Sequence, residues 1–206
     1  LNCRNAFSGV YLPSETVNKR QPIPLARVRK LQGECVRLND DIRWLVALIS
    51  DTGMRLSEAV GLRHQDLKLD HEVPHVALVP HATRRLKTDS SERVIPLVGA
   101  SLWAAQKIIE SDHSEYCFPR YCSDAVCKSN SASAAINKWI KAVVGSNAVI
   151  HGFRHGFRDR LRAVEAPVDM IDQLGGWSLR SVGQGYGDGY PLDLLHRWMD
   201  KIVIKE

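Results

Sequence analysis

The chain has 206 residues, 44% hydrophobic and 25% charged, with a formal net charge of +5 and a pI of about 9.0. This length can bury a sizeable core as one domain or two small ones, and the composition excludes a disordered chain. No apolar run approaches a membrane span and no signal peptide is evident, so a cytoplasmic protein is expected, and its basic balance favours a polyanionic partner.

Residues 1–24 lack periodicity and end in Pro22 and Pro24, which reads as a linker or extended arm. The chain opens on Leu1 rather than Met and is polar from the start, which reads as a fragment of a longer protein. Residues 25–36 predict a short helix. Asn39 or Asp40 can cap the next, in which Trp44, Leu45 and Leu48 form an apolar stripe. Asp51, Thr52 and Gly53 break it. A further helix is expected from near Met54, with Leu56, Ala59 and Val60 facing inward and Arg55 in its first turn.

Residues 75–79 and 93–97 are short apolar or β-branched runs, and the polar, basic stretch 81–92 between them completes a small antiparallel sheet with its turn. Leu102, Trp103, Ile108 and Ile109 mark another helix, residues 112–130 read as loop, and Ile136, Trp139, Ile140 and Val143 recur at helical spacing. A helix over 151–162 follows, then a shorter one over about 167–174 that Gly175 and Gly176 end. After a glycine-rich tract at 183–189 comes a last amphipathic helix carrying Leu192, Leu195, Trp198, Met199 and Ile202. Its stripe must be buried, either on its own domain or against a neighbouring copy. The expected fold is mainly α with a small antiparallel β-sheet (α+β).

The cysteines are Cys3, Cys35, Cys117, Cys122 and Cys127. An odd count without a secretory signal predicts free thiols in a reducing compartment. The spacing of the last three, with His113 upstream, matches no common zinc pattern, so no metal site is expected.

Four stretches carry candidate chemistry. In 52–62, TGMRLSEAVGL, Gly53 permits a tight turn, and Glu58 stands three residues from Arg55, able to orient it. In 84–97, RRLKTDSSERVIPL, Lys87 lies near the turn of the expected hairpin, where a long cation can reach a neighbouring groove. In 151–162, HGFRHGFRDRLR, one stripe holds His151, Arg154, His155, Arg158 and Arg162, and another holds Phe153, Phe157 and Leu161. The aromatic side anchors, while the cationic side suits an anionic oxygen cluster, above all a phosphate. In 174–187, LGGWSLRSVGQGYG, Trp177 offers an indole donor, and Tyr186 follows nine residues later among glycines. Each has a plainer reading: a solvated basic face, a surface Arg–Glu pair, a solvated lysine.

Together the four resemble the tyrosine recombinase, or phage integrase, family over about residues 25–205. Arg55 in TG-x-R-x-x-E matches the family's first arginine motif, and residues 151–155 match H-x-x-R-H. Gly176 and Trp177 match a position where many members have Gly-His and some have Trp, and Tyr186 matches the nucleophilic tyrosine, with Tyr190 close by. The resemblance implies the recombinase catalytic-domain fold over 25–206, without the family's usual N-terminal DNA-clamping domain. It also implies cleavage and rejoining of DNA through a covalent 3′-phosphotyrosine, in a prophage or mobile element.

Arg55, Lys87, His151, Arg154, Trp177 and Tyr186 are then the expected catalytic set. Lys87 is the general acid for the leaving 5′ oxygen, and Glu58 and His155 give support. Arg84, Arg85 and Arg158 are expected to meet DNA. No cofactor or metal is implied. The implied partner is double-stranded DNA at specific attachment sites, bound by a homotetramer, while the free fragment can be a monomer. Nucleoid association follows when DNA is bound. The alternatives are a type IB topoisomerase-like enzyme and a non-catalytic DNA-binding protein of the same fold.

Overall fold

The computed structural model describes residues 21–81, 84, 91–111, 114–123, 126–145, 147–177 and 189–204. Eight α-helices are seen among them: α1 (Leu25–Leu38), α2 (Asp41–Thr52), α3 (Leu56–Val60), α4 (Gly99–Ser111), α5 (Ser129–Val144), α6 (His151–Ala163), α7 (Val168–Gly175) and α8 (Leu192–Lys201). Three strands, β1 (Leu67–Lys68), β2 (His75–Leu78) and β3 (Arg93–Pro96), pair antiparallel in chain order, with Val76 opposite both Leu67 and Ile95. The fold is therefore mainly helical with a small antiparallel sheet. None of its described helices is long and apolar enough to cross a membrane.

The packing centre is α2. Every residue from Leu45 to Thr52 is buried, which is the signature of a helix covered on all sides. It contacts α1, α3, α4, α5 and α6. Asp40 caps it by accepting from the Arg43 N–H at 3.0 Å. Asp51 and Thr52, expected to break the helix, form its buried last turn. Asp51 earns that place by bonding Arg160 of α6 at 2.7 Å and the Ala100 N–H of α4 at 2.9 Å, so a charge inside the core is satisfied.

Gly53 closes α2 at φ 62°, in the left-handed region. A Cβ there would also fall 2.5 Å from the Phe157 ring, so both the turn and the approach of α6 demand glycine. The next helix starts at Leu56, two residues later than expected. Arg55 is its N-cap residue, because the Glu58 carboxylate accepts the Arg55 backbone N–H at 2.8 Å and fixes the entry there.

Two further expectations are revised. Strand β1 escaped notice because two residues are too few to show a period. Cys122 and Cys127, expected as free thiols, form a disulfide. They sit opposite one another across a short antiparallel bridge, with Ser123 N–H bonded to Val126 and Lys128 N–H to Tyr121 on either side, the non-hydrogen-bonded pairing that brings side chains closest. Cys35 and Cys117 are free and buried, and burial pushes the Cys35 thiol up to about 12. Cys3 and His113 lie outside the described residues.

Helix α8 buries Leu195 and Met199 against its own chain, next to β3, and Ile202 just past its end is buried too, while Leu192 and Trp198 stay half-buried. The segment before α1 lies against α6, and Gly152 must be small because a Cβ would meet Ile23 at 2.8 Å.

Candidate active site

The site grows from the C-terminal end of α7. Gly176 takes φ 61°, its N–H bonds the Gln173 carbonyl, and the Trp177 N–H bonds the Asp172 carbonyl at 3.0 Å. This paired reversal ends the helix and turns the carbonyls of Gly175 and Gly176 back toward α3 and α6. Gly175 is obligatory on steric grounds. A Cβ on it would lie 1.7 Å from the Trp177 ring, which folds directly over it.

Two arginines from distant parts of the chain meet those carbonyls. Arg154 of α6 donates from Nη2 to the Gly175 carbonyl at 2.6 Å and from Nη1 to the Gly53 carbonyl at 2.8 Å. Arg55 donates from Nη2 to the Gly176 carbonyl at 3.3 Å, and from Nη1 to the Ser91 hydroxyl at 3.1 Å and to Glu58. The left-handed Gly53 and the Gly175–Gly176 turn thus serve as fixed acceptors that aim two guanidiniums.

Arg154 is 4% exposed, so the plainer reading of the α6 stripe as a solvated basic face does not hold for it. It also lies three and seven residues before Phe157 and Leu161, both fully buried, so it occupies the edge of that stripe nearest the core. Among the described residues it makes no ion pair with a carboxylate. Desolvation, then the repulsion of Arg55, Arg93 and Arg158, pushes its pKa down to about 9, which leaves it protonated at neutral pH but short of negative charge.

Trp177 lies against two cations. The guanidinium carbons of Arg154 and Arg158 stand 4.5 and 4.6 Å from its ring centroid, which fixes the plane of Arg154 by stacking. Arg158 also pairs with the buried Asp172 at 2.9 Å. His151 begins α6, with no acidic residue in that first turn, and its ring meets the edge of the exposed His155 ring at 5.0 Å. The positive end of the helix dipole therefore adds to Arg154 rather than being offset.

Glu58 is the carboxylate of the cluster, and it is shared. One oxygen takes Arg55, and the other takes Arg93 Nη2 at 3.0 Å. Burial alone would raise its pKa. The Arg93 charge, followed by hydrogen bonds from Arg93 and Arg55, outweighs that and holds the carboxyl below its ordinary range.

The expected residues Arg55, Glu58, Arg154 and Trp177 therefore come together, with His151 at the head of the same helix as Arg154. Lys87, Arg85 and Tyr186 lie outside the described residues. Arg84, expected to meet DNA, is instead buried. It pairs with Asp66 at 2.9 Å and donates to the Val79 and Gly61 carbonyls, which ties the sheet to the end of α3. Arg158 braces Trp177 rather than standing free. Tyr190, the neighbour of Tyr186, donates its hydroxyl to Asp169 at 3.0 Å, and burial and that carboxylate raise its pKa.

Arg93, Ser91 and Asp172 were not foreseen. Arg93 alternates with the buried Ile95 and Leu97 along its strand, a period of two that puts a charge on the core face and so demands a partner.

A mainly helical domain that gathers guanidiniums around a turn of paired glycines, with fewer carboxylates than cations among the described residues, has the chemistry that suits an anion. The chain belongs to the Phage integrase family, whose sequence profile matches residues 28–190. Among solved structures it is similar to the Tn1549 transposon integrase in complex with transposon right end DNA (TM-score 0.58, 16% identity, 91% of this chain and 67% of that one). It is also similar to XerA recombinase (0.60, 13%, 92% and 61%) and to the XerH site-specific recombinase bound to difH substrate (0.58, 14%, 86% and 49%). The chain thus spans between about half and two thirds of these relatives. A comparison with curated protein sequences gives no match.

Proposed function

We propose that residues 25–206 are the catalytic domain of a site-specific DNA recombinase that breaks and rejoins DNA through a 3′-phosphotyrosine. The observation that carries this reading is the convergence of Arg55 and Arg154 on the adjacent carbonyls of Gly176 and Gly175, with no carboxylate paired to Arg154 among the described residues. A structural arginine gains from a carboxylate partner. An arginine held by carbonyls keeps its charge for something else.

In this reading Arg55 and Arg154 take the two non-bridging oxygens of the scissile phosphate, and His151 and the Trp177 indole add donors. Phosphoryl transfer relies on positioning and charge neutralisation, and two fixed guanidiniums supply both without a metal ion. The Tyr186 oxygen attacks phosphorus and stays joined to the 3′ side, while Lys87 gives a proton to the departing 5′ oxygen. A tyrosine with a pKa of about 10 needs such a site to react at neutral pH. The ester keeps the bond energy, so a 5′ hydroxyl from another strand reverses the step. Exchange between two duplexes calls for a tetramer on DNA. Arg85 remains a proposed DNA contact, whereas Arg84 and Arg158 are assigned to holding the fold and Trp177. The Tn1549 and XerH structures with DNA support a DNA partner.

The test uses nicked duplexes tiled across the DNA flanking the protein's own coding sequence, which trap the covalent step by losing the short fragment that leaves with the 5′ hydroxyl. A protein–DNA adduct resistant to denaturant, formed in EDTA and lost with Tyr186→Phe, is expected. DNA binding without adduct on every duplex would make the chain a binding protein, and an adduct that needs added metal would overturn the metal-independent step.

A further inference from the structure

Arg93 is a buried cation that the mechanism above leaves unused. Its side chain is 3% exposed, and each of its three donor nitrogens has a separate acceptor. Nη2 meets Glu58 at 3.0 Å, Nη1 the Ser91 carbonyl at 2.7 Å, and Nε the Leu174 carbonyl at 2.9 Å. Arg55 also has three side-chain acceptors: Glu58, the Ser91 hydroxyl and the Gly176 carbonyl. The two sets coincide. Arg93 holds the same carboxylate from its other oxygen, the same serine from its backbone, and the same helix end two residues upstream of Gly176.

A structural ion pair needs only the Glu58 contact. The other two bonds tie β3 to the residues that orient Arg55, and a guanidinium alone among side chains can make all three in one plane. We propose that Arg93 is a positioning residue for Arg55: it fixes all three groups that aim the Arg55 guanidinium at the scissile phosphate, and never touches DNA itself. This rests on the recombinase reading above.

The experiment is a double-substitution cycle on the nicked duplex that traps the adduct, comparing the unsubstituted protein, Arg93→Lys, Arg55→Lys and the pair. Lysine keeps a charge beside Glu58 and loses the planar fork, so Arg93→Lys folds where Arg93→Met fails. Misplacement of a reacting group on the scale of 1 Å slows a reaction roughly 100-fold, so Arg93→Lys should lower the single-turnover rate at saturating DNA by about 10- to 100-fold. The DNA concentration for half-saturation should move by less than about 2-fold, because orientation rather than binding is lost.

In the Arg55→Lys background the same Arg93 substitution should change the rate by less than about 2-fold, since there is no longer a guanidinium to aim. Two defects that multiply would show that Arg93 acts on the fold alone and overturn the proposal, as would an Arg93→Lys protein as fast as the unsubstituted one. If the unsubstituted protein forms no adduct on any duplex, the recombinase reading falls first and this proposal with it.

Discussion

Glu58→Gln isolates the charge of the cluster from its shape. Glutamine keeps the volume and one oxygen, so it can still accept the Arg55 N–H and cap α3. What disappears is the negative charge between Arg55 and Arg93, both of which lie close enough to Arg154 to depress its pKa. Removing one partner of a buried ion pair costs about 3–5 kcal/mol, and for a chain of this size each kcal/mol lowers Tm by roughly 2–4 °C. A loss of about 3 kcal/mol therefore predicts a Tm lower by about 6–12 °C in circular dichroism melts near neutral pH.

Two controls belong to the same measurement. Sulfate should restore more stability to Glu58→Gln than to the unsubstituted protein, because the cluster then carries one more uncompensated positive charge. The pH dependence has a fixed sign. The folded pKa of Glu58 lies below its ordinary value of 4.5, so the carboxylate's contribution is complete above that value and is lost as pH falls through the folded pKa. The gap between the two proteins should stay constant above about pH 5 and close in more acidic buffer. A Tm unchanged at neutral pH, or a gap that widens in acid, would refute the shared-carboxylate account of the site.

Tyr186→Phe should abolish the adduct on nicked DNA while Tyr190→Phe keeps it, because the Tyr190 hydroxyl is committed to Asp169; the reverse result would exchange their roles. Arg154→Lys should slow adduct formation by two orders of magnitude or more, on the scale of about 3–4 kcal/mol for a lost oxyanion donor, since an ammonium cannot span the Gly53 and Gly175 carbonyls and a phosphate together. Lys87→Ala should be slow on ordinary DNA and rescued on a substrate with a 5′-bridging sulfur, whose thiolate leaves without a proton; equal defects on both would give Lys87 another role. Gly175→Ala should quench or shift Trp177 fluorescence and slow the reaction, because the new methyl occupies the space of the indole; unchanged emission and rate would place Trp177 elsewhere.

What the sequence made legible follows from how locally each feature is encoded. Ile136 and Ile140, or Leu195 and Met199, declare their helices through spacing alone, and the Gly175–Gly176 pair announces a helix end through its backbone freedom. The order of motifs around Arg55, Arg154, Trp177 and Tyr186 pointed to the family. The partners of charged groups were not legible, because they lie far away in sequence. Arg84 reads as a surface cation until Asp66 is brought against it across the sheet, and Arg158 does so until α7 supplies Asp172. Count and compartment say nothing of the antiparallel bridge that sets Cys122 opposite Cys127, and that bridge decided their pairing. Arg93 and Arg154 are different. Their positions beside Ile95 and Phe157 carried the signal of burial, and polarity masked it.

Burial and charge at this site are reconciled by the kind of acceptor each cation receives. A carboxylate both orients a guanidinium and neutralises it, and a backbone carbonyl orients it while leaving nearly all its charge. Arg55 and Arg93 divide one carboxylate, and Arg158 has Asp172. Among the described residues, Arg154 has the carbonyls of Gly53 and Gly175 and the face of Trp177 and no carboxylate. The fold therefore bears a desolvated cation that a hydrophobic residue of similar size would relieve. Such a cost has a use where a phosphate gains negative charge on its outer oxygens during transfer, because a cation already stripped of water and fixed in plane need not reorganise. The glycines make this possible. Only a chain free to reverse at Gly53 and Gly176, and bare enough at Gly175 to lie under an indole, presents carbonyls from two separate elements to one guanidinium.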